Sequence, residues 1–294
     1  MRSNKKKKSQ KLNPLVAALL AIVLAFSGYL VYSEVADSSP SSGLSDSEVA
    51  VHYIDVGQGD AVLVQTTGGN VLIDGGGNNM GVRVVEYIRD AGVSELAVVV
   101  ATHPHADHIG GLPAVLNEFP VGTLIMPNVV HTTATFERFL DAIESNNIPL
   151  SEPTVGGQFS VGQAEFTIIA PNSADYQNLN DYSVSLRMTL GATSFIFTGD
   201  AEAISEREML QHNIVSDVLH VGHHGSNTST IPEFLDAVDP SIAVISVGDN
   251  SYGHPHSDVL ERLSEAGVEV YRTDYHGDIV IVSDGAGLTL YTRG

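Results

Sequence analysis

The side chains best suited to chemistry lie in one short segment rich in histidine, directly after the apolar run 96–101. Its sequence is Thr102-His103-Pro104-His105-Ala106-Asp107-His108-Ile109-Gly110-Gly111. Three imidazoles and one carboxylate fall within six residues, and zinc and similar divalent metals prefer these ligands. We expect a strand that ends at Ala101 and a helix that begins near Ile109 to hold the turn rigidly. The pattern favours a metal-dependent hydrolase over a histidine-rich surface loop without function.

Two later segments also place ligand-type side chains directly after a predicted strand. The run 195–198 precedes Gly199 and Asp200, and a carboxylate in that position can bridge two cations and screen their repulsion. The run 218–221 precedes His223 and His224, which we expect to be ligand candidates, whereas His220 within the run is expected to be structural. A lone aspartate at the end of a strand usually forms a turn. The metal interpretation of Asp200 therefore depends on the other ligands.

Two glycine-rich turns near the beginning of the domain carry further carboxylates. Asp60 ends the turn 57–60, whose glycines let backbone amides approach a bound group, although the same turn is typical of a plain hairpin. Asp74 follows the apolar run 71–73, where its carboxylate either orients a ligand histidine or caps a turn.

A fourth segment, 253–256, adds His254 and His256 just before a predicted helix. We expect them to contact substrate oxygen or to support the ligands, and a solvated turn is the alternative. The remaining histidines have no such context and are expected to be ordinary: His52, His131, His212 and His276.

Strands and helices alternate through the chain from Val49 onward. Strands are predicted at 49–55, 61–66, 70–74, 96–101, 122–126, 164–169, 184–190, 193–198, 216–221, 241–247, 268–271, 278–283 and 287–291. Helices are predicted near 81–91, 110–118, 134–146, 202–211, 231–237 and 256–266. Hairpins come first, then strands separated by helices, then hairpins again. This order predicts an α/β fold with two sheets face to face and helices outside, a four-layer αββα sandwich over residues 49–294.

The residues before this domain have a different composition. Residues 1–13 are basic, residues 14–32 carry no charge and are long enough to span a bilayer, and residues 33–48 form a Ser-rich flexible linker. The lysines predict a cytoplasmic N-terminus and a single-pass membrane helix with an extracellular C-terminal domain. The alternative is a signal peptide cleaved near Ala25-Phe26-Ser27, which would give a secreted protein. We favour the anchor because the apolar run continues past Ser27.

The charge of the chain is strongly asymmetric. Six of its 14 basic residues lie within residues 2–11, which leaves eight arginines against 35 acidic residues, a net charge of −27. Such a surface has no basic groove for nucleic acid and repels polyanions at long range. Adaptation to high salt or a need for solubility would also explain it. Phosphate chemistry is not excluded, because bound metals dominate the local field. The chain has no cysteine, so disulfides and thiolate ligands are excluded.

These motifs together resemble the metallo-β-lactamase superfamily over about 49–290. The nearest branch is the soluble hydrolase domain of ComEC-type competence DNA-uptake proteins, whose motifs occur here in the same order. They are Asp55-Val56-Gly57-Gln58-Gly59-Asp60, Leu72-Ile73-Asp74-Gly75-Gly76, the segment 103–108, Thr198-Gly199-Asp200, His223-His224-Gly225-Ser226 and Gly253-His254-Pro255-His256. The multi-helix channel of those proteins is not in this sequence, so we expect that the chain does not import DNA by itself.

The resemblance implies the metallo-β-lactamase fold and two divalent metal ions, zinc or manganese. His103 and His105 would hold the first, Asp107 and His108 the second, and Asp200 would bridge them. His224, or failing that His223, would complete the second site.

One departure from the family concerns the first site. Many members place another histidine between Gly111 and Asp200, but this interval has only His131, which is poorly placed. The segment Asn180-Asp181-Tyr182-Ser183 occupies that place. The first site is therefore expected to be weaker, to use Asp181, or to prefer manganese.

A metal pair lowers the pKa of a coordinated water and so provides hydroxide near neutral pH. With this metal-activated hydroxide, the leading reaction implied by the resemblance is phosphodiester hydrolysis by a phosphodiesterase or nuclease, with single-stranded DNA as a candidate substrate. Asp107 would accept a proton, and His254 or Ser226 would contact the leaving group or a nonbridging oxygen. A channel protein in the same membrane is a candidate partner.

Two alternatives remain open. One is an extracellular esterase, lactonase or cell-wall phosphocholine esterase, which the acidic surface favours. The other is a non-catalytic membrane-anchored binding module, which the intact ligand set disfavours.

Overall fold

The computed structural model describes residues 43–293, which form two β-sheets packed face to face. The first sheet has eight strands in the spatial order β15-β14-β1-β2-β3-β4-β5-β6. Its strands are β1 (Val49–Tyr53), β2 (Val62–Thr66), β3 (Gly69–Ile73), β4 (Leu96–Val100), β5 (Val121–Ile125), β6 (Leu150–Ser151), β14 (Asp278–Ser283) and β15 (Leu288–Arg293). Every residue of β1 is buried, because both faces of this central strand are covered.

The second sheet has seven strands in the order β13-β12-β11-β10-β9-β8-β7. They are β7 (Gln158–Val161), β8 (Ala164–Ala170), β9 (Ser185–Leu190), β10 (Thr193–Phe197), β11 (Val218–His220), β12 (Ile242–Ile245) and β13 (Glu269–Arg272). Strands β10 to β13 are parallel, and so are β3 to β6 in the first sheet. Residues that follow these strands therefore emerge at the carboxyl ends, where open α/β sheets bind ligands.

Helices cover the outer face of each sheet. In the described part of the chain they are α1 (Gly81–Asp90), α2 (Ala106–Ile109), α3 (Leu112–Glu118), α4 (Ala134–Ser145), α5 (Ala203–Met209), α6 (Pro232–Val238), α7 (Ser257–Glu265) and α8 (Thr273–His276). Two short 3₁₀ turns span Leu179–Tyr182 and Gly222–Gly225.

Three separate apolar cores define the layers. One lies between α1, α3, α4 and the first sheet, one lies between the two sheets, and one lies between the second sheet and helices α5 to α7. Phe166, Phe195 and Phe197 fill the central core and are almost completely buried. The four-layer αββα arrangement predicted from the sequence is confirmed.

The structure corrects the prediction of one helix at 110–118. The chain already turns helical at Ala106, breaks at Gly110 and Gly111, and begins a second helix at Leu112. The chain passes close to another segment at this break, where only glycine fits, because a Cβ on Gly111 would lie 2.0 Å from the carbonyl oxygen of Gly75. As a consequence, Asp107 and His108 lie on a helical turn rather than in a loop.

Strands β6 and β7 and helix α8 were not predicted. Strand β6 has only two residues, both exposed, and helix α8 has only four. In β7, Phe159 and Val161 alternate with exposed polar residues, a pattern that could have been recognised. The other predicted elements are present, with ends that differ by at most two residues.

The predicted basic segment, membrane helix and most of the linker lie outside the described residues. Within residues 43–293, no helix is both long enough and apolar enough to cross a membrane.

We expect residues 43–294 to fold without the preceding segment, because all three cores consist of residues between Val49 and Leu290. This fragment should be soluble and unfold in one cooperative transition followed by circular dichroism. Phe166→Ala, which empties a fully buried site, should lower the free energy of unfolding by about 3–5 kcal/mol. The exposed control Leu150→Ala should change it by less than about 0.5 kcal/mol. An insoluble fragment, or equal effects of the two substitutions, would contradict this expectation.

Candidate metal centre

The ligand candidates meet where parallel strands of both sheets end. Strand β4 leads into the segment with His103, β10 leads to Asp200, and β11 leads to His224. Three close groups of possible ligand atoms result, and in each group the atoms lie within 4.8 Å of one another: His103, His105 and Asp200; Asp107, His108, Asp200 and His224; and Asp60, Asp74 and His108.

The first group presents two imidazoles and one carboxylate. His103 Nε2 lies 2.9 Å from His105 Nδ1 and 3.5 Å from Asp200 Oδ2. His103 and Asp200 are buried, whereas His105 is half-buried. This group therefore has a buried side and a side that faces outward.

The second group uses the other oxygen of the same carboxylate. Asp200 Oδ1 lies 3.2 Å from His108 Nε2 and 3.6 Å from His224 Nε2. Asp107 Oδ2 lies 3.3 Å from His224 Nε2. Since its two oxygens face different groups, Asp200 is placed to be shared between two ions.

In the second group, the Nδ1 atoms of His108 and His224 point away from the centre and contact other parts of the protein. His108 Nδ1 lies 2.8 Å from Asp74 Oδ2, and His224 Nδ1 lies 2.9 Å from the Ser246 carbonyl oxygen. Such contacts fix the tautomer so that Nε2 carries a free lone pair for a metal. Asp74 is itself fixed, because the backbone N–H and the hydroxyl of Thr102 both donate to it. The third group is thus a supporting layer rather than a further site.

Asp60 belongs to the same supporting layer. Its Oδ1 lies 3.2 Å from His224 Nδ1 and 3.8 Å from His220 Nε2. Its backbone N–H donates to the carbonyl oxygen of Asp107. The residue before Asp60 must be glycine, because a Cβ on Gly59 would lie 2.3 Å from that same carbonyl oxygen.

The cluster fits a divalent metal because its inward atoms have no other partner. His108 Nε2, His224 Nε2 and Asp200 Oδ1 are buried and make no hydrogen bond within the described residues. An unpaired buried polar atom is costly, and three that converge on one point are better explained as ligand atoms.

Mutual charge controls the protonation of the cluster in the metal-free protein. Burial by itself would raise the pKa of Asp200, but His108 and His224 hold it well below its ordinary value. Burial would lower the pKa of His108, but Asp200, Asp74 and Asp107 raise it well above its ordinary value. Burial would also lower the pKa of His224, but Asp200 and Asp60 raise it well above its ordinary value. In contrast, burial and the neighbouring His108 lower the pKa of His103.

His223 and His224 both have left-handed backbone, with φ of 51° and 54°. Such a pair is rare for residues other than glycine and lets adjacent side chains point in different directions. His224 enters the second group, whereas His223 Nε2 stays 3.8 Å from Asp200 and its Nδ1 lies 3.3 Å from Glu202. Of the two alternatives for this ligand, the geometry favours His224.

The segment 180–183 lies beside the first group but does not supply its missing ligand. Asp181 Oδ1 accepts from the backbone N–H groups of Glu202 and Ser205, at the beginning of α5. Its position is that of a helix cap, so the expectation that Asp181 completes the first site is not supported. Ser183 Oγ lies 3.4 Å from His103 Nδ1 and accepts the backbone N–H of Asp200.

The side-chain amide of Asn180 donates a hydrogen bond to Oε1 of Glu202.

The three residues predicted to contact substrate have different positions. The ring of His254 lies 5.3 Å from that of His223 and 6.4 Å from that of His224, and its Nδ1 is buried without a partner in the described chain. Ser226 Oγ instead forms a hydrogen bond with Thr228 Oγ1, at 2.9 Å. His256 caps α7, where its Nδ1 accepts the N–H of Asp258. Only His254 faces the centre directly.

Two residues near the centre were missed from the sequence. His131 belongs to none of the three groups of possible ligand atoms, but its ring lies 5.7 Å from that of His105 and its Nδ1 lies 3.2 Å from the Pro104 carbonyl oxygen. Glu202 was not singled out although it lies two residues after Asp200, and its carboxylate links Asn180 to His223. No local pattern marks either residue, since both positions depend on tertiary packing.

Comparison with known proteins agrees with this geometry. A family model described as the metallo-beta-lactamase superfamily matches residues 54–249. The chain is 34% identical to ComE operon protein 3 of Bacillus subtilis over 254 residues, which cover 79% of this chain and 33% of that protein. It is 30% identical to competence protein ComA of Neisseria gonorrhoeae over 260 residues, which cover 87% of this chain and 34% of that protein. The chain thus spans about a third of the length of these relatives.

Among solved structures, the fold is similar to that of the metallo-beta-lactamase fold protein YhfI from Bacillus subtilis, with a TM-score of 0.54. The match covers 78% of this chain and 98% of that chain at 12% identity, so it concerns the fold alone.

Removing the charge of Asp74 should weaken metal binding although Asp74 is not a ligand. Asp74→Asn should reduce the affinity for zinc or manganese about 10- to 100-fold, because His108 loses its orienting partner. The matched control Asp181→Asn keeps an oxygen for its two backbone donors and should leave the affinity within about twofold. Competition with a fluorescent chelator measures both. Equal losses would instead make Asp181 a ligand, and no loss in Asp74→Asn would contradict the orienting role.

Metal binding should release protons at pH 7, because His108 and His224 have raised pKa values in the metal-free protein and ligands must be deprotonated. The apparent affinity should therefore rise with pH through the neutral range. Calorimetric titration in buffers of different ionisation enthalpy should show a release of about one to two protons, reduced by about one in His224→Ala. A binding enthalpy that is the same in all buffers would show that no proton is released, and would contradict the protonation of His108 and His224 in the metal-free protein.

Proposed function

The chain belongs to the metallo-β-lactamase superfamily, and we propose that it is a metal-dependent phosphodiesterase that cleaves single-stranded nucleic acid. The observation that carries the proposal is the shared position of Asp200 between two groups of possible ligand atoms. Nucleic acid is favoured as the substrate by the resemblance to ComEC-type competence DNA-uptake proteins, and one matched relative is named a competence protein. The fold alone would not select this reaction.

The residues that would hold the metals are those of the two groups. His103, His105 and Asp200 would hold one ion, and Asp107, His108, Asp200 and His224 the other. Two bound divalent ions supply a water of lowered pKa and stabilise charge on the attacking and leaving oxygens. Imidazole and carboxylate ligands suit manganese as well as zinc, so both are proposed.

Two further groups lie where they can act on the substrate. The Asp107 side chain is 37% exposed and thus faces the open side of the centre, where its carboxylate would accept the proton of the attacking water. Burial and the adjacent His223 and His224 lower the pKa of His254 to about 4, so its imidazole is neutral near pH 7. We propose that His254 donates a hydrogen bond to a nonbridging phosphate oxygen rather than a proton to the leaving group.

The cellular arrangement is part of the proposal. Residues 14–32 would anchor the chain in the cell membrane with the domain outside, or would direct its secretion if they are cleaved. The matched relatives are about three times as long as the matched region. We therefore propose a channel protein in the same membrane as the partner, which would receive the single-stranded nucleic acid from this domain or deliver it to the domain.

A second candidate function has one observation in its favour. The acidic surface with eight arginines and no lysine after residue 11 would suit a small or envelope-bound ester better than a long polyanion. Turnover of a small diester without cleavage of any nucleic acid would select this alternative. Metal binding without turnover of any ester would select the binding module.

Asp200→Ala should abolish turnover, because both metal sites lose a ligand. The activity of residues 43–294 with manganese or zinc should fall more than about 100-fold on both single-stranded DNA and bis-nitrophenyl phosphate, since even outer partners are worth 10- to 100-fold. The control Asp90→Ala removes an exposed carboxylate at the end of α1 and should retain full activity. Unchanged activity of Asp200→Ala would rule out the shared position.

The cleavage of single-stranded DNA should become more efficient as salt is added, whereas a basic nucleic-acid-binding protein loses affinity. At low ionic strength the acidic surface repels the strand, and raising the ionic strength from about 0.01 to 0.15 M shortens the screening length from about 30 to 8 Å. The value of kcat/KM for single-stranded DNA should therefore rise over this range. The value for bis-nitrophenyl phosphate, which carries one charge, should change much less. A steep fall with salt would reveal a basic contact surface and contradict this electrostatic account.

A further inference from the structure

A file of four aromatic rings leads from the surface to the candidate metal centre. The ring of Tyr252 lies 5.7 Å from that of His254, His254 lies 5.3 Å from His223, and His223 lies 6.1 Å from His224. Exposure falls along this file: Tyr252 is 74% exposed, and the side chains of His223 and His224 are 21% and 2% exposed. Tyr252 therefore lies at the mouth of the centre, and through His254, whose ring is also 6.4 Å from that of His224, it is two ring contacts from this candidate ligand.

The loop that carries Tyr252 is held by one side chain. Asn250 Oδ1 accepts the backbone N–H groups of Tyr252, Gly253 and His254, and Asn250 Nδ2 donates to the carbonyl oxygens of Gly248 and His254. These five hydrogen bonds fix the turn against the end of β12. The exposed ring is thus presented on a defined scaffold rather than on a freely moving loop.

The exposed ring has no structural partner that explains it. Within residues 43–293, the only ring that contacts Tyr252 is His254, at an interplanar angle of 30°, and its hydroxyl makes no hydrogen bond. Tyr252 is 74% exposed, so most of its large ring surface is accessible from outside. The His254 ring is tilted by 30° against Tyr252, and no other ring of the described residues contacts Tyr252, which leaves room for a planar group on its other face.

Positive charge is scarce in this domain, because residues 12–294 have eight arginines and no lysine against 35 acidic residues. The eight arginines of the described chain all make contacts within it: Arg83 with Asp278, Arg89 with Glu118, Arg138 with Asn78, Arg187 with Val215, Arg207 with Ala203, Arg262 with Thr230, Arg272 with Asp274 and Arg293 with Tyr87. Proteins that bind single strands combine charge with base stacking on aromatic side chains. Where the charge is lacking, stacking must contribute more of the affinity.

We propose that Tyr252 is the stacking platform for a nucleobase next to the scissile phosphodiester, an inference that rests on the proposed phosphodiesterase function. The phosphate would lie at the candidate metal centre beside His254, while the adjacent base covers the open face of Tyr252. Because every base has a π-face, this contact admits all four bases and confers no sequence specificity. It does select nucleic acid over a phosphodiester that lacks a planar group.

The test compares two strands of equal charge, a thymidine dodecamer and the same backbone with abasic sites throughout. For wild-type residues 43–294 with manganese, KM should be lower for the thymidine strand. Tyr252→Ala should raise that KM about 5- to 150-fold, the range expected for the loss of one stacked base, and leave cleavage of the abasic strand unchanged. Tyr252→Phe and Tyr252→Trp should retain the preference, because they keep the ring.

Tyr275→Ala is the matched control, since Tyr275 is 71% exposed but packs on the guanidinium of Arg272. It should behave as wild type. Equal cleavage of both strands by wild type and Tyr252→Ala would overturn the stacking role and leave the phosphodiesterase standing. A wild-type protein that cleaves neither strand would overturn both proposals, and a loss of activity on the abasic strand in Tyr252→Ala would show a structural effect instead of stacking.

Discussion

The compensation of buried carboxylate charge is the constraint on which the rest of the site depends. Asp60, Asp74 and Asp200 are almost completely buried, and Asp107 lies beside them. Isolated charges at such depth would be strongly destabilising. In the metal-free protein, His108 and His224 offset part of the charge by staying protonated. Two divalent ions would balance four carboxylates completely, which explains why the chain tolerates this arrangement at the meeting point of its two sheets.

The topology creates this arrangement from residues far apart in sequence. Parallel strands from both sheets end at one edge, and the candidate ligands follow the ends of these strands by three to eight residues. Close backbone contacts then fix the distances, as where Gly59 and Asp60 pack on the carbonyl oxygen of Asp107. The rigid cores on both sides of the sheets keep these turns in place, so the geometry of the centre follows from packing rather than from the ligands alone.

The sequence predicted the layers and most of the centre because both depend on local patterns. Apolar runs identify the strands, and ligand-type residues directly after a run identify the sheet edge, as for Asp200 and His224. Roles decided by contacts between distant segments could not be predicted in this way. Asp181 looked like a substitute ligand but caps α5. His131 looked isolated but lies beside His105. No sequence pattern marks Tyr252, because its exposure and the Asn250 turn are properties of the folded chain.

The metal content of the folded domain tests the central claim most directly. Residues 43–294, stripped with a chelator and dialysed against excess manganese or zinc, should retain about two ions per chain by elemental analysis. His103→Ala and His224→Ala should each reduce this to about one, since each removes a ligand from a different group. A wild-type content of one ion or none would contradict a shared two-metal centre at Asp200.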